Sequence, residues 1–258
     1  MMEAVAAAPG QPAEQAGGDP FEEWCRLRAS EGERVSMIRL YAMVAGPRGL
    51  QAHELPLAER RALARRAIAV VFPGWETVPG SDQRADPVRV VPYDPAWAGR
   101  FQAWRDRLAA RLGATALRIE HVGSTSVPGL AAKPIVDIQV SVADMEREDG
   151  YVPQCEAAGL QLRSRDHEHR YFRPPADRPR DVHVHVCAAG GRWERAHLLF
   201  RDYLRANPPA CAAYTAMKRE AAALWRDDSL AYTEPKNDLI LDLLGEAERW
   251  AADRRWLG

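Results

Sequence analysis

Residues 117–140 read LRIEHVGSTSVPGLAAKPIVDIQV, and this stretch decides the fold. Residues 117–122 predict a strand that breaks at Gly123-Ser124. A turn punctuated by Pro128-Gly129 and Pro134 leads to a second apolar run over 135–142, also a strand. That second strand carries one carboxylate, Asp137, between Val136 and Ile138. A carboxylate in an apolar strand costs free energy unless it is paired or bound to a cation. Two readings follow. Asp137 pairs with Lys133 or an arginine, or it holds a divalent metal opposite bound phosphate. Gly123 permits close approach of backbone N–H groups to phosphate, and the Ser124 hydroxyl adds a donor. Together Gly123, Ser124, Thr125 and Asp137 predict a phosphate turn next to an ion, with His121 orienting the turn from the preceding strand. The G-x-x-x-x-G-K-[ST] and G-x-G-x-x-G spacings are absent, which disfavours a P-loop or a dinucleotide-binding fold.

Outward from this stretch, 88–91 predicts a short strand. Asp94-Pro95 then opens an amphipathic helix with Trp97, Phe101, Trp104, Leu108 and Leu112 at helical spacing, ending at Gly113. Downstream, 152–158 predicts a short helix and 160–163 the start of a strand. Residues 181–187, DVHVHVC, alternate strictly, so His183 and His185 share the face opposite Val182, Val184 and Val186. Three helices are expected after that, over 193–206, around Tyr214 to Leu224, and over 237–250. The order of elements predicts an α+β domain, a mixed β-sheet backed by helices.

Residues 1–19, rich in Ala, Pro, Gly and Gln, predict a disordered tail, and 20–72 a helical N-terminal extension. Within it, 21–45 is expected as one helix, with Gly32 and Ser36 weakening its middle. A second helix is expected over 56–71, with Arg60, Arg61, Arg65 and Arg66 on a solvated face. Residues 73–87 carry three prolines and read as a linker, which leaves 88–250 as the main domain. The chain has 258 residues, is 47% hydrophobic and 28% charged, and has a net charge of −1, so bulk charge draws it to neither nucleic acid nor anionic membrane. Its four scattered cysteines fit free buried thiols in a reducing compartment. No apolar run reaches the roughly 20 residues of a membrane helix, and the N-terminus lacks the basic and apolar regions of a signal peptide, so a cytoplasmic protein is the expectation.

Residues 121–138, HVGSTSVPGLAAKPIVDI, resemble the signature of the GrpB (UPF0157-type) family of nucleotidyltransferase-like proteins. VVPYDPAW (90–97), HEHRYF (167–172), HVHV (183–186), FRDYLRANP (200–208), YTAMKREAA (214–222) and YTEPKNDLI (232–240) resemble its later landmarks. The resemblance implies a nucleotidyltransferase-like fold over the main domain and leaves the N-terminal extension uncovered. The family also occurs fused to dephospho-coenzyme A kinase. The wider superfamily places acid-x-acid on the strand after the Gly-Ser turn. Here the first acid is Asp137, and the second position is the neutral Gln139. Two-metal nucleotidyl transfer is therefore in question. The resemblance leaves three readings open: a nucleotidyltransferase that uses Mg or Mn, a non-catalytic module binding a nucleotide or phosphorylated small molecule, and a single-metal, hydrolase-like site built from Asp137, His183 and His185. Lys133, Arg170, Lys218 and Lys236 are bases that could meet an anionic ligand, each also readable as a surface charge; Lys133, Arg170 and Lys236 are the expected partners.

Overall fold

The computed structural model describes residues 23, 25–27, 36–71, 76–78 and 87–258. The expected tail over 1–19 lies outside them, as does most of the expected linker. In chain order the described elements are α1 (Met37–Ala45), α2 (Leu57–Val71), β1 (Glu76–Thr77), α3 (Ala96–Leu112), β2 (Arg118–Val122), β3 (Val136–Val142) and α4 (Val152–Ala157). They continue with β4 (Gln161–Arg165), β5 (His169–Arg173), β6 (Val182–Ala188), α5 (Arg192–Ala206), α6 (Pro208–Leu224) and α7 (Ser229–Arg254).

The six strands form one sheet in the order β1-β4-β5-β6-β3-β2. All pairings are antiparallel except β3 with β6, which run parallel at the centre. This is the mixed α+β architecture expected from the periodicities. Strict alternation gives the sheet two distinct faces. On one face Val136, Ile138 and Val140 of β3 join Val182, Val184 and Val186 of β6, and α3 and α4 cover them with Trp97, Leu108, Leu112 and Cys155. On the other face lie Asp137, Gln139 and Ser141 beside His183, His185 and Cys187, in a register that pairs Asp137 with His183 and Gln139 with His185. Helix α5 covers part of this face: Glu194 accepts the Ser141 hydroxyl, and Arg201 pairs with Glu120 at 2.8 Å. Helices α5 to α7 share a third cluster, which includes Leu199, Tyr203, Tyr214, Leu243 and Ala247 and reaches the central turn through Val127 and Leu130.

Several local expectations are corrected. Residues 88–91 form no strand; only Val91 bridges, to Ala132. Pro87 and Pro92 flank this segment and remove the donors a ladder needs. Part of the expected linker is structured: Glu76 and Thr77 pair with Arg165 and Ser164 at the sheet edge. Ser36 does not weaken a continuous helix but starts one, its hydroxyl accepting from Arg39 N at 3.0 Å as the N-cap of α1. Helix α7 begins at Ser229 rather than 237, capped by Asp228, and runs through Pro235. The break that proline suggests locally is overridden by packing at both ends, through Ala231 and Tyr232 on one side and Leu243 and Ala247 on the other. Arg60 is not on a solvated face: it is 7% exposed and forms a buried pair with Asp228 at 3.1 Å.

Candidate functional site: a carboxylate-imidazole pair ringed by three lysines

The turn between β2 and β3 is built against Asp137. Gly123 has φ +68°, and a Cβ placed on it would lie 2.4 Å from Asp137 Oδ2. Only glycine allows both that conformation and that approach. Ser124–Ser126 form a 3-10 turn, closed by the Ser126 hydroxyl donating to Gly123 O at 2.6 Å. The first amides of such a turn have no partner within it. Two arginines of α5 brace the turn from behind. Arg205 donates twice to Ser126 O, at 3.0 and 2.7 Å, and Arg201 donates to His121 O at 3.1 Å. His121 stacks on Phe101 at 4.8 Å and shares a 3.0 Å hydrogen bond with the Thr125 hydroxyl. Burial pushes the His121 imidazole down to about 4, so it is neutral near pH 7. The Thr125 side chain, 2% exposed, is thereby committed to the interior.

Asp137, His183 and His185 offer ligand atoms that all lie within 4.8 Å of one another. Asp137 Oδ1 is 3.2 Å from His183 Nδ1 and 4.0 Å from His185 Nε2. Burial pushes the Asp137 carboxyl up, but hydrogen bonds and charge from both histidines outweigh it and hold the carboxyl well below the usual range. Burial lowers both imidazoles, against the pull of Asp137. Arg180 Nε donates to His183 Nε2 at 3.0 Å. His183 therefore carries its proton on Nδ1 and donates it to Asp137. A metal on His183 Nδ1 requires that proton to leave and Arg180 to swing aside, whereas Asp137 Oδ1 and His185 Nε2 carry no such conflict. The donor types suit a divalent ion.

The chain contains only three lysines among its 35 basic side chains, and all three converge here. Lys218, 2% exposed, donates to the Ser124 hydroxyl at 3.0 Å and to Ala131 O, with the Tyr214 ring 4.6 Å away. Lys133 and Lys236 both rest against the Tyr232 ring, at 4.2 and 4.1 Å. Each of the three feels the Asp137 carboxylate. Burial, aided by Arg180, pushes Lys133 down to about 8. Burial pushes Lys218 down to about 7, and burial together with the other two lysines pushes Lys236 to about 7. Lysine is the basic side chain that can respond in this way; a guanidinium stays charged.

The expected site residues thus divide. Gly123, Ser124, Asp137, His183, His185, Lys133 and Lys236 come together. Arg170 does not: it pairs with Val186 across the ladder, on the opposite face from Tyr171 and His185. There its guanidinium is held by Glu148 at 2.6 Å, by Glu146 at 2.9 Å and by Asp166 O. Gln139 shares the Asp137 face but is fully buried, and neither amide atom finds a partner. Arg180, Arg201, Arg205, Tyr214 and Tyr232 line the same site without a signal in the sequence, and Lys218, a candidate base outside the expected set, joins them. The rarity of lysine was the available signal for Lys218.

A Gly-Ser turn facing an acid on the next strand, in a mixed sheet flanked by helices, is the architecture of the nucleotidyltransferase-like α+β class. The chain belongs to the GrpB family: the family model described as GrpB protein matches residues 87–246. A UPF0157 protein of Streptomyces coelicolor is 45% identical over 155 residues, covering 60% of this chain and 81% of that protein. A protein named dephospho-CoA kinase from Mycolicibacterium paratuberculosis is 34% identical over 196 residues, covering 66% of this chain and 48% of that protein. The crystal structure of the conserved protein GrpB from Enterococcus faecalis aligns with a TM-score of 0.56 at 33% identity, over 63% of this chain and 99% of that one. No helix among the described residues is long and apolar enough to cross a membrane.

Proposed function

We propose that the protein binds a phosphorylated small molecule, a nucleotide being the leading class, with one divalent ion, Mg or Mn. The observation that carries this reading is the convergence of all three lysines on the Gly123-Ser124 turn, with one carboxylate among them. Lys218 is buried and Lys133 and Lys236 are half-buried, and ammonium groups so withdrawn from water without a carboxylate each are relieved by an anion. Phosphate would sit on the amides of residues 123–125, with Lys133, Lys218 and Lys236 around it. A divalent ion held by Asp137 with His185, and with His183 once Arg180 has moved, would neutralise phosphate charge. Arg180, freed from His183, is then a further phosphate donor. The lysines supply the positive charge that a second metal ion would bring to a site with two acids. Gln139, neutral and buried, leaves Asp137 as the single acid on β3. That favours a second reading, a binding module without turnover.

The two readings separate in one experiment. The protein is incubated with each nucleoside triphosphate and Mg²⁺ or Mn²⁺, with pyrophosphate release and thermal shift both recorded. Turnover that Asp137→Asn abolishes identifies nucleotidyl transfer. A thermal shift without turnover identifies the binding module. No shift with any nucleotide or with inorganic phosphate overturns both.

A further inference from the structure

The N-terminal helical pair lies outside the residues matched to the family, yet it grips the helix that delivers Lys236. Asp228 does two things. Its Oδ1 caps α7 by accepting from Ala231 N at 3.1 Å, and its Oδ2 takes Arg60 Nη1 at 3.1 Å, in a pair 8% and 5% exposed. Arg60 is itself aimed by donating Nε to Leu55 O at 3.1 Å and lies 5.5 Å over the Trp225 ring. Six residues further along, on α7, Glu234 accepts from Ile38 N at 3.1 Å and from the Ser36 hydroxyl. Between these two anchors sits Tyr232, 1% exposed. It is packed in the cluster that holds Leu40, Tyr41, Leu55 and Ala64 of the extension, and it is the ring against which Lys133 and Lys236 lie. Pro235 has no N–H, so the first turns of α7 lack one hydrogen bond to the rest of the helix. Their position therefore depends on what holds them from outside.

We propose that α1 and α2 are a built-in clamp that positions Tyr232 and Lys236 at the ligand site, with Arg60 and Glu234 as its positioning residues. The proposal rests on reading the lysine cluster as the ligand site. Released from the clamp, the start of α7 samples positions in which Lys236 no longer reaches the anion. Apparent affinity then falls by the fraction of molecules still competent.

The test uses the full chain with Arg60→Met combined with Asp228→Asn. Asparagine keeps the α7 cap, and no buried charge is left unpaired. Because the chain has three lysines, acetylation followed by mass spectrometry reports each separately. Lys236 is expected to react about tenfold faster relative to Lys133 than in the parent protein. The dissociation constant for inorganic phosphate should rise about tenfold, and this rise should vanish when Lys236→Met is already present. Mn²⁺ affinity, which reads Asp137, should stay within about twofold. Should the double variant fail to fold, Glu234→Ala carries the same measurements. Unchanged Lys236 reactivity, or an equal loss of phosphate affinity in the Lys236→Met background, overturns the clamp. A parent protein that binds no phosphate overturns the ligand reading instead, and the acetylation ratio still decides the clamp.

Discussion

The molecule holds two buried basic clusters on opposite faces of one sheet, and they are built differently. Around Arg170, 4% exposed, every charge has its counter-charge. Glu148 receives both Arg170 and Arg165, Glu146 receives Arg170, and hydrogen bonds from Arg165 and then Arg170, with their charge, hold Glu148 below its ordinary value even against partial burial. Around the Gly123-Ser124 turn three ammonium groups share, among the described carboxylates, only Asp137, which is already engaged by His183. A cation closed by its own carboxylates is a strut. On the proposed reading, cations lacking such partners among the described residues, and partly neutralised by loss of water instead, await an anionic ligand.

Substitution should break the two clusters in opposite senses. Arg170→Met leaves Glu148 to Arg165 alone and removes the bonds to Glu146 and Asp166 O, and is expected to lower stability by about 1–2 kcal/mol, read by chemical denaturation, with phosphate affinity unchanged. Lys218→Met removes an unpaired buried charge, so stability should hold or rise. Phosphate affinity should fall by about tenfold or more, read by calorimetry. If Lys218→Met destabilises as Arg170→Met does, the contrast is wrong and Lys218 is a second strut.

The pH dependence sharpens the same contrast. Lys133, Lys218 and Lys236 titrate at about 8, 7 and 7 in the folded protein, below the ordinary lysine value of 10.5. Between those limits the unfolded chain binds more protons than the folded one, so stability of the unliganded protein should rise with pH from 7 toward 10.5. Phosphate binding needs the charged lysines and should weaken over the same interval, by up to about tenfold per pH unit for each lysine that must be protonated. Thermal melts and calorimetry at pH 7, 8 and 9 should therefore move in opposite directions. Asp137 has the same sign at the acid end. Its lowered carboxyl contributes stability above the ordinary value of 3.8, and that contribution is lost as pH falls through its folded value.

The smallest expected effect is at Gln139. Its amide is buried with no partner, so Gln139→Leu should raise stability by about 1 kcal/mol and leave Mn²⁺ affinity intact. Loss of metal affinity in that variant would show that Gln139 supports the ion after all.

Much of the fold was legible because its signals are local. The alternation over 182–186, the helical spacing from Trp97 to Leu112 and the Gly-Ser break at 123–124 each reside in a few consecutive residues. Where local signals misled, neighbours decided otherwise. The apolar spacing showed the last helix only from 237, yet α7 starts at Ser229 and passes through Pro235, and Arg60 looked solvent-facing until α7 supplied Asp228. Arg170 lies in a segment rich in imidazole and aromatic residues, but strand alternation turns it away from them.

By itself the sequence determined that a glycine breaks the first strand at 123, that an acid interrupts the β3 apolar run, and that two histidines share one side of β6. Each of these follows from backbone sterics and from the two-residue period of a strand. Only the tertiary structure decided that Asp137 lies beside His183, because a parallel pairing of strands 46 residues apart leaves no trace of its register in either strand. It also decided that Lys133, Lys218 and Lys236 meet, since they come from a turn and two helices whose packing is set by apolar contacts elsewhere.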